Sequence, residues 1–379
     1  MRIAIFTGPS GGHFYPALTF AEAFKKRHPE AQILFVTSSK GHFLADKIKK
    51  ENGIQFDFLP DFPFPRPQRL NFIVRFPFFL LRLAQAFLKS EKILNSFKPD
   101  LSVGFGSYAA FPGILGSRRR KIPTLIHEQN RKMGRANHWL ARHVDSVALS
   151  FEEDPSVSLP VTAEVTGLPL RSTLRDKAEE QAGGAAPTSH SASGRLRILV
   201  LGGSQGAQSL NRLWNAALSS FSDEEKSKIA VIHITGEKDF DNTKTMYLTT
   251  GIPAKVCQFS DQMEEVYAGA DLAVTRAGAS TLFELALFGL PAIVFPYPHA
   301  DGHQEMNARY FEKAGGISVL LEAECTPSKL KREILALMDS PALRSRRSEV
   351  LRRLARPDAS ERLVELAAHL LGKKEACLS

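Results

Sequence analysis

The sequence predicts an α/β protein made of two Rossmann-like, doubly wound parallel-sheet domains. Three observations carry this expectation. A strand, a glycine loop and an amphipathic helix follow one another at the N-terminus, as Arg2-Ile-Ala-Ile-Phe6, Thr7-Gly-Pro-Ser-Gly-Gly12 and a run from about Tyr15 to Arg27. The same order returns at Arg197-Ile-Leu-Val-Leu201, Gly202-Gly-Ser-Gln-Gly206 and Ala207 onward. Further short apolar runs read as strands buried on both faces of a parallel sheet.

In chain order, residues 1–170 form the first domain, with further strands at Ile33–Val36, Leu101–Val103, Thr124–Ile126 and Val147–Leu149. Residues 171–194 read as a linker or insertion, because 176–194 are small and polar without periodicity. Residues 195–356 form the second domain, with strands at Val231–Ile234, Leu272–Val274 and Ala292–Phe295. From about 357 to 371 an apolar-periodic helix (Leu363, Leu366, Ala367, Leu370) is expected to pack back on the first domain.

The length of 379 residues suits two domains at about 100–200 residues each. Apolar residues at 43% and charged residues at 23% exclude a disordered chain or a coiled coil. The net charge of +9 lies wholly in residues 1–170, with 23 basic and 14 acidic side chains, so that half is expected to face something anionic. Three cysteines without a CxxC pair argue against a disulfide framework or structural zinc and fit a reducing, cytoplasmic compartment. The apolar run Ile3–Phe6 is too short for a signal peptide. Leu70–Leu88, broken by Arg75, Pro77 and Arg82, is no transmembrane span.

Several segments carry chemistry. The two glycine loops let a ligand approach the backbone, and the helix starts behind them favour phosphate. Neither fits GxGxxG, which disfavours a nicotinamide enzyme. The bland alternative is a tight turn without a ligand. His13, where the first helix begins, suits proton transfer near neutral pH; otherwise it is a capping histidine. His127-Glu128-Gln129-Asn130 follows an apolar strand, at the sheet edge that faces a ligand. Arg131 occupies the second ligand position of HExxH, so a zinc site is absent there. In Arg276–Glu284, Gly278 turns the chain and Ser280-Thr281 are expected to cap a helix suited to a diphosphate, with Glu284 positioned for a ribose diol. His299, Asp301 and His303 crowd one loop without a distant fourth ligand, and Asp239-Phe-Asp241 is a two-residue coincidence in an expected surface loop. No metal is therefore expected.

Residues 61–90 hold seven phenylalanines, five basic residues and one acid. Phe72, Arg75, Phe76, Phe78, Phe79 and Arg82 form a candidate interfacial membrane patch. The alternative is a proline-rich loop feeding a core helix from Phe78 to Leu94. Nucleic acid binding finds no support in the glycine loops.

Ser10-Gly-Gly-His13, Gly104-Phe-Gly-Ser-Tyr108, His127-Glu-Gln-Asn130, Gly167-Leu-Pro-Leu-Arg171, Gly202-Gly-Ser-Gln-Gly-Ala207, Arg276-Ala-Gly-Ala-Ser-Thr281 with Glu284, and His303-Gln304 with Asn307 occur together in order over nearly the whole chain. In these segments the chain resembles the MurG family of peptidoglycan N-acetylglucosaminyltransferases, which make lipid II from lipid I. The resemblance implies a GT-B fold with the active cleft between its domains, and an inverting transfer that needs no cofactor or metal. It implies UDP-N-acetylglucosamine in the C-terminal domain. Ser204 and the Ala279-Ser280-Thr281 helix start would hold the diphosphate, Ser260 the uracil and Glu284 the ribose. Gln304 and Asn130 would contact the sugar, and Arg171 would also reach the donor. Ser10, Gly11 and Gly12 would border the sugar or the acceptor diphosphate. His13 would be the catalytic base. Gly104, Gly106, Tyr108, His127 and Glu128 are acceptor-side candidates. The partners implied are UDP-N-acetylglucosamine, lipid I and the anionic cytoplasmic leaflet of the plasma membrane, on which the protein would be peripheral. A UDP-N-acetylglucosamine 2-epimerase, or a non-enzymatic nucleotide- or nucleic-acid-binding module, are the alternative readings.

Overall fold

Apolar runs become the central strands of two parallel sheets in the computed structural model of the chain, which describes residues 1–42, 45, 53–62, 72–152, 159, 161–183, 194–203, 206–298 and 302–376. The chain divides into two units, Met1–Leu170 with Asp358–Ser379, and Arg171–Pro357. The strands of the first are β1 (Arg2–Thr7), β2 (Gln32–Ser38), β3 (Gln55–Leu59), β4 (Leu101–Phe105), β5 (Thr124–Glu128), β6 (Ser146–Leu149) and β7 (Ala163–Val165). They pair in parallel in the order β3-β2-β1-β4-β5-β6-β7. The second unit holds β8 (Leu196–Leu201), β9 (Ile229–Ile234), β10 (Ala254–Cys257), β11 (Leu272–Arg276), β12 (Ala292–Phe295) and β13 (Ile317–Val319). Their order is β10-β9-β8-β11-β12-β13, again all parallel.

Each order reverses once, between β1 and β4 and between β8 and β11. Chain direction then splays the connections apart beyond the carboxyl ends of those strands, leaving a crevice there. Both glycine loops, after β1 and after β8, open at these two switch points.

The helix Gly11–Arg27 buries Phe14, Ala17, Phe20, Ala21 and Phe24, at helical spacing, against β1 and β4. The helix Ala359–Ala376 joins the same core through Leu363, Val364, Ala367 and Leu370, so the chain ends in the unit where it began. The expected linker needs correction. Ser172–Gly183 is a helix of the second unit, burying only Leu174 and Ala178. The remainder of that stretch up to residue 193 lies outside the described residues. The membrane-patch segment is helical from Phe72 to Phe97, earlier than the core-helix reading had it. Phe78, Leu81 and Leu88 are 67%, 57% and 65% exposed on it, with Arg75 and Arg82 also exposed. A solvated helix seldom carries so much uncovered apolar surface. The side chain of Phe72 lies outside the described residues. Among the described residues no helix is long and apolar enough to cross a membrane.

Candidate active site

In the first unit the site forms where β1 and β4 end side by side, with Thr7 opposite Phe105. Ser10 is the N-cap of the helix Gly11–Arg27, and its carbonyl accepts from the backbone N–H of His13 and Phe14 at 3.0 and 2.9 Å. Ser10 and Gly12 are exposed, and Gly11 is half-buried. His13 therefore sits in the first helical turn, and its Nδ1 lies 3.0 Å from Gln129 Oε1. The Gln129 amide nitrogen donates to the Phe105 carbonyl at 3.3 Å, which turns Oε1 toward the imidazole. An amide oxygen only accepts, so Nδ1 carries the proton and Nε2 the lone pair. Gly106 allows this approach. At φ +66° it adopts a conformation that favours glycine, and a Cβ there would lie 3.1 Å from both Gln129 Oε1 and the His13 ring. The next residue, Ser107, is also left-handed at φ +65°, and its Cβ would come within 2.6 Å of one on Gly8.

The other acceptor-side candidates fare unequally. Tyr108 is 42% exposed at the start of the helix Ser107–Arg119. Gly104 is buried in β4, where a Cβ would meet Ile114 at 2.9 Å, so packing against that helix accounts for it. His127 is fully buried, and its Nε2 lies 3.0 Å from the Gly167 carbonyl. Burial lowers its pKa to about 4, with the Gly167 bond opposing and the charge of nearby His13 adding to the shift. The carboxylate of Glu128 accepts from Asn130 N and Nδ2 through one oxygen, and from Gly134 N and Asn137 Nδ2 through the other. These two expectations need correction: His127 is a core imidazole, and Glu128 organises the 128–137 loop. Asn130, half-buried, is held by that carboxylate.

In the second unit the turn after β8 packs backbone against backbone. A Cβ on Gly206, at φ +73°, would come within 2.5 Å of the Thr235 carbonyl. Ser204 lies outside the described residues. After β11, Gly278 is the N-cap of the helix Ala279–Phe288 and no side chain caps it. This corrects the expected Ser280-Thr281 cap: both residues lie in the first turn. Arg276, buried beneath, donates to Phe295 O at 3.2 Å, Glu322 Oε2 at 3.0 Å and Ser209 Oγ at 2.5 Å, tying β11 to its neighbours.

Glu284 stands one turn into that helix, and its Oε2 accepts from the buried Tyr267 hydroxyl at 2.6 Å. The first turn presents backbone N–H groups, the donors that helix-terminal anion sites use. Burial raises the Glu284 pKa, opposed by the Tyr267 bond and the charge of Arg171. Gln304 Oε1 accepts from Ala277 N at 3.2 Å and Tyr297 N at 2.9 Å, beyond β11 and β12, so its NH₂ group is the end left to donate. Ser260 is half-buried just beyond β10, beside exposed Phe259.

Asp239 is not in a detached surface loop as expected. It accepts from Gln208 and Asn211, on the helix that follows the second glycine turn. Among the described residues no group of three or more His, Cys, Asp or Glu is arranged to hold a metal. His299 and Asp301 lie outside them. Sequence reasoning missed Gln129 as the partner of His13, and missed Tyr267. Gln129 was legible only as one of four polar residues after a strand, and Tyr267 carried no signal at all.

Two Rossmann-like units, each with a glycine turn and a helix start at its switch point, define the GT-B class of glycosyltransferases. The sequence matches the glycosyltransferase family 28 N-terminal domain over residues 3–149 and the family 28 C-terminal domain over residues 197–363. The UDP-N-acetylglucosamine–N-acetylmuramyl-(pentapeptide) pyrophosphoryl-undecaprenol N-acetylglucosamine transferase of Halothermothrix orenii is 36% identical, over 97% of this chain and 98% of its own. That of Thermodesulfovibrio yellowstonii is 34% identical, over 99% and 100%. The crystal structure of Acinetobacter baumannii MurG superposes with a TM-score of 0.75 at 26% identity, covering 97% of this chain and 99% of that one. The chain belongs to this transferase family, the MurG family. A UDP-N-acetylglucosamine 2-epimerase from Neisseria meningitidis, at a TM-score of 0.67 and 12% identity over 97% and 99%, shares the fold alone.

Proposed function

We propose that the protein transfers N-acetylglucosamine from UDP-N-acetylglucosamine to the C4 hydroxyl of N-acetylmuramoyl-(pentapeptide) diphospho-undecaprenol, converting lipid I to lipid II. The observation that carries this reading is the pairing of His13 with Gln129, beside a glycine turn, in a chain of this family. The Nε2 lone pair takes the proton of the acceptor hydroxyl. The hydroxyl oxygen then bonds to C1 of the donor sugar on the face opposite UDP, the bond from C1 to phosphate oxygen breaks, and the configuration inverts. UDP leaves with added negative charge. The glycine turn with Ser204, and the start of the helix at Ala279, Ser280 and Thr281, stabilise that charge. Glu284 holds the ribose diol, Ser260 lies at the uracil, and Gln304 donates to a sugar oxygen, joined by Asn130. Arg171 supplies positive charge to the donor. Ser10, Gly11 and Gly12 border the donor sugar or the acceptor diphosphate.

Incubation with UDP-N-acetylglucosamine and lipid I tests the reading: UDP and lipid II should form in equal amounts. Epimerisation of the sugar nucleotide without an acceptor would instead assign the protein to the other chemistry that uses this fold.

The exposed face of the helix Phe72–Phe97 supports peripheral binding to the anionic cytoplasmic leaflet, where a diphosphate-linked lipid acceptor resides. Phenylalanine rings enter the headgroup boundary while Arg75 and Arg82 meet anionic lipid. Replacing Phe78, Phe79 and Leu80 with Ser should reduce binding to anionic vesicles in a flotation assay and spare UDP affinity. Wild-type protein that ignores such vesicles at low salt would refute the patch.

The reaction requires no cofactor in this proposal, since helix starts carry the phosphate charge. Turnover should survive complete chelation or fall only modestly. An absolute Mg²⁺ or Mn²⁺ requirement, with activity abolished in a folded Asp239/Asp241 double variant, would overturn this.

A further inference from the structure

We infer that Tyr267 is the residue that positions Glu284 for ribose recognition, and that the selectivity for a ribonucleotide over a deoxyribonucleotide donor depends on its hydroxyl. The inference rests on the assignment of Glu284 to the ribose. Tyr267 lies on the helix Met263–Ala268, is 1% exposed, and packs its ring 5.5 Å from that of Phe288. Its hydroxyl meets the proposed site. That group donates a hydrogen bond to Glu284 Oε2 at 2.6 Å. One buried hydroxyl thus meets the side chain of the helix Ala279–Phe288 that faces the proposed ribose.

The physical need for such a partner is plain. A carboxylate taken out of water must be hydrogen-bonded or it reverts to the neutral acid, and only the ionised form accepts through both oxygens. Tyr267 engages one oxygen, which sets the rotation of the group about its terminal bond and directs the other oxygen to the diol. Its phenol stays neutral, because burial and the neighbouring carboxylate both disfavour the phenolate. It therefore acts as a fixed donor. Arg171 adds positive charge nearby.

The test compares the dissociation constants of UDP and 2′-deoxyuridine diphosphate, by calorimetry, for the wild type, Glu284→Gln and Tyr267→Phe. The wild type should prefer UDP by about tenfold or more, the scale of one charge-assisted hydrogen bond. Both variants should bring the ratio to within about threefold, with UDP weakened more than the deoxynucleotide, which keeps only the 3′-hydroxyl. In turnover, Tyr267→Phe should raise the donor KM with kcat little altered. A tyrosine with only a structural role would weaken both nucleotides equally and keep the ratio, which overturns the inference. If Glu284→Gln abolishes the preference and Tyr267→Phe retains it, the tyrosine assignment fails and the ribose assignment stands. If Glu284→Gln itself retains the preference, the ribose assignment fails first. Should Tyr267→Phe not fold, the Glu284→Gln/Tyr267→Phe double variant, which removes the buried carboxylate along with its donor, answers instead. Its ratio should equal that of Glu284→Gln alone, and any further fall overturns the inference.

Discussion

His13→Ala should lower kcat by about 10²–10⁴-fold, the range for removing a general base, while UDP affinity stays nearly intact. The two quantities separate because His13 lies in the first unit and the UDP contacts proposed above lie in the second. Local geometry supports the size of the effect. Gln129 accepts from Nδ1 at 3.0 Å and is itself held by the Phe105 carbonyl, so the imidazole has one tautomer and a fixed plane. The wild-type rate should fall on acidification as the imidazole takes up a proton and loses its lone pair, and the variant should lack that limb. The competing account gives His13 a purely structural part in the helix start. On that account the variant melts earlier and still turns over. Correctly folded His13→Ala within a few-fold of wild-type kcat would remove His13 as the base. His127 and Glu128 are poor substitutes. One is buried with its pKa lowered to about 4 by that burial, and the other accepts four hydrogen bonds from its own loop.

The same contrast explains which parts of the molecule were legible in the sequence. Nine strands stood out as short apolar runs, because a central parallel strand is covered on both faces. The four that did not stand out, Gln55–Leu59, Ala163–Val165, Ala254–Cys257 and Ile317–Val319, are the four sheet edges. There a polar neighbour such as Asp57, Glu164 or Lys255 costs little. The helix Ser172–Gly183 escaped notice for a related reason: with only Leu174 and Ala178 buried, its apolar stripe is one residue wide.

At the site, the glycine turns were legible because their geometry is a backbone property that few residue types satisfy. Partnerships between side chains were not. Nothing in His-Glu-Gln-Asn indicates that His127 is buried against the Gly167 carbonyl while Gln129, just past the strand, reaches His13. Likewise Tyr267 and Glu284 are 17 residues apart on separate helices, and only the packing of those helices brings hydroxyl to carboxylate. Pattern reports which face of an element is buried. It does not report which two polar groups meet across elements.

His233→Ala should destabilise the second unit by about 2–6 kcal/mol at pH 7.5, and the variant should lose less of its remaining stability on acidification than the wild type does. His233 lies fully buried in β9, inside a chain of hydrogen bonds whose directions are fixed by its ends. Trp214 Nε1 donates to the Tyr247 hydroxyl at 2.7 Å, and that hydroxyl donates to His233 Nδ1 at 3.0 Å. His233 Nε2 then donates to Asn211 Oδ1 at 3.1 Å, and Asn211 Nδ2 donates to Thr235 O and Asp239 Oδ2 at 2.9 and 2.7 Å. Removing the imidazole leaves the Tyr247 O–H without its acceptor and Asn211 Oδ1 without its donor, at about 1–3 kcal/mol each. The pH effect has a separate cause. Burial lowers the His233 pKa to about 3, with the Asp239 charge opposing, so the folded imidazole is neutral. A depressed folded pKa gives stability that is complete above the unfolded value of about 6.5 and is lost as the pH falls toward 3, because the unfolded chain takes up the proton first. At pH 5 the loss from this one group is about 2 kcal/mol. The protein has two tryptophans, Trp139 in the first unit and Trp214 in the second. In a Trp139→Phe background, urea unfolding followed by Trp214 fluorescence therefore reads the second unit. The wild-type midpoint should drop between pH 7.5 and pH 5.0, and His233→Ala should show a drop smaller by that increment. Equal drops in the two proteins would mean that the imidazole is charged in the folded state, which a donor at Tyr247 and an acceptor at Asn211 are arranged to prevent.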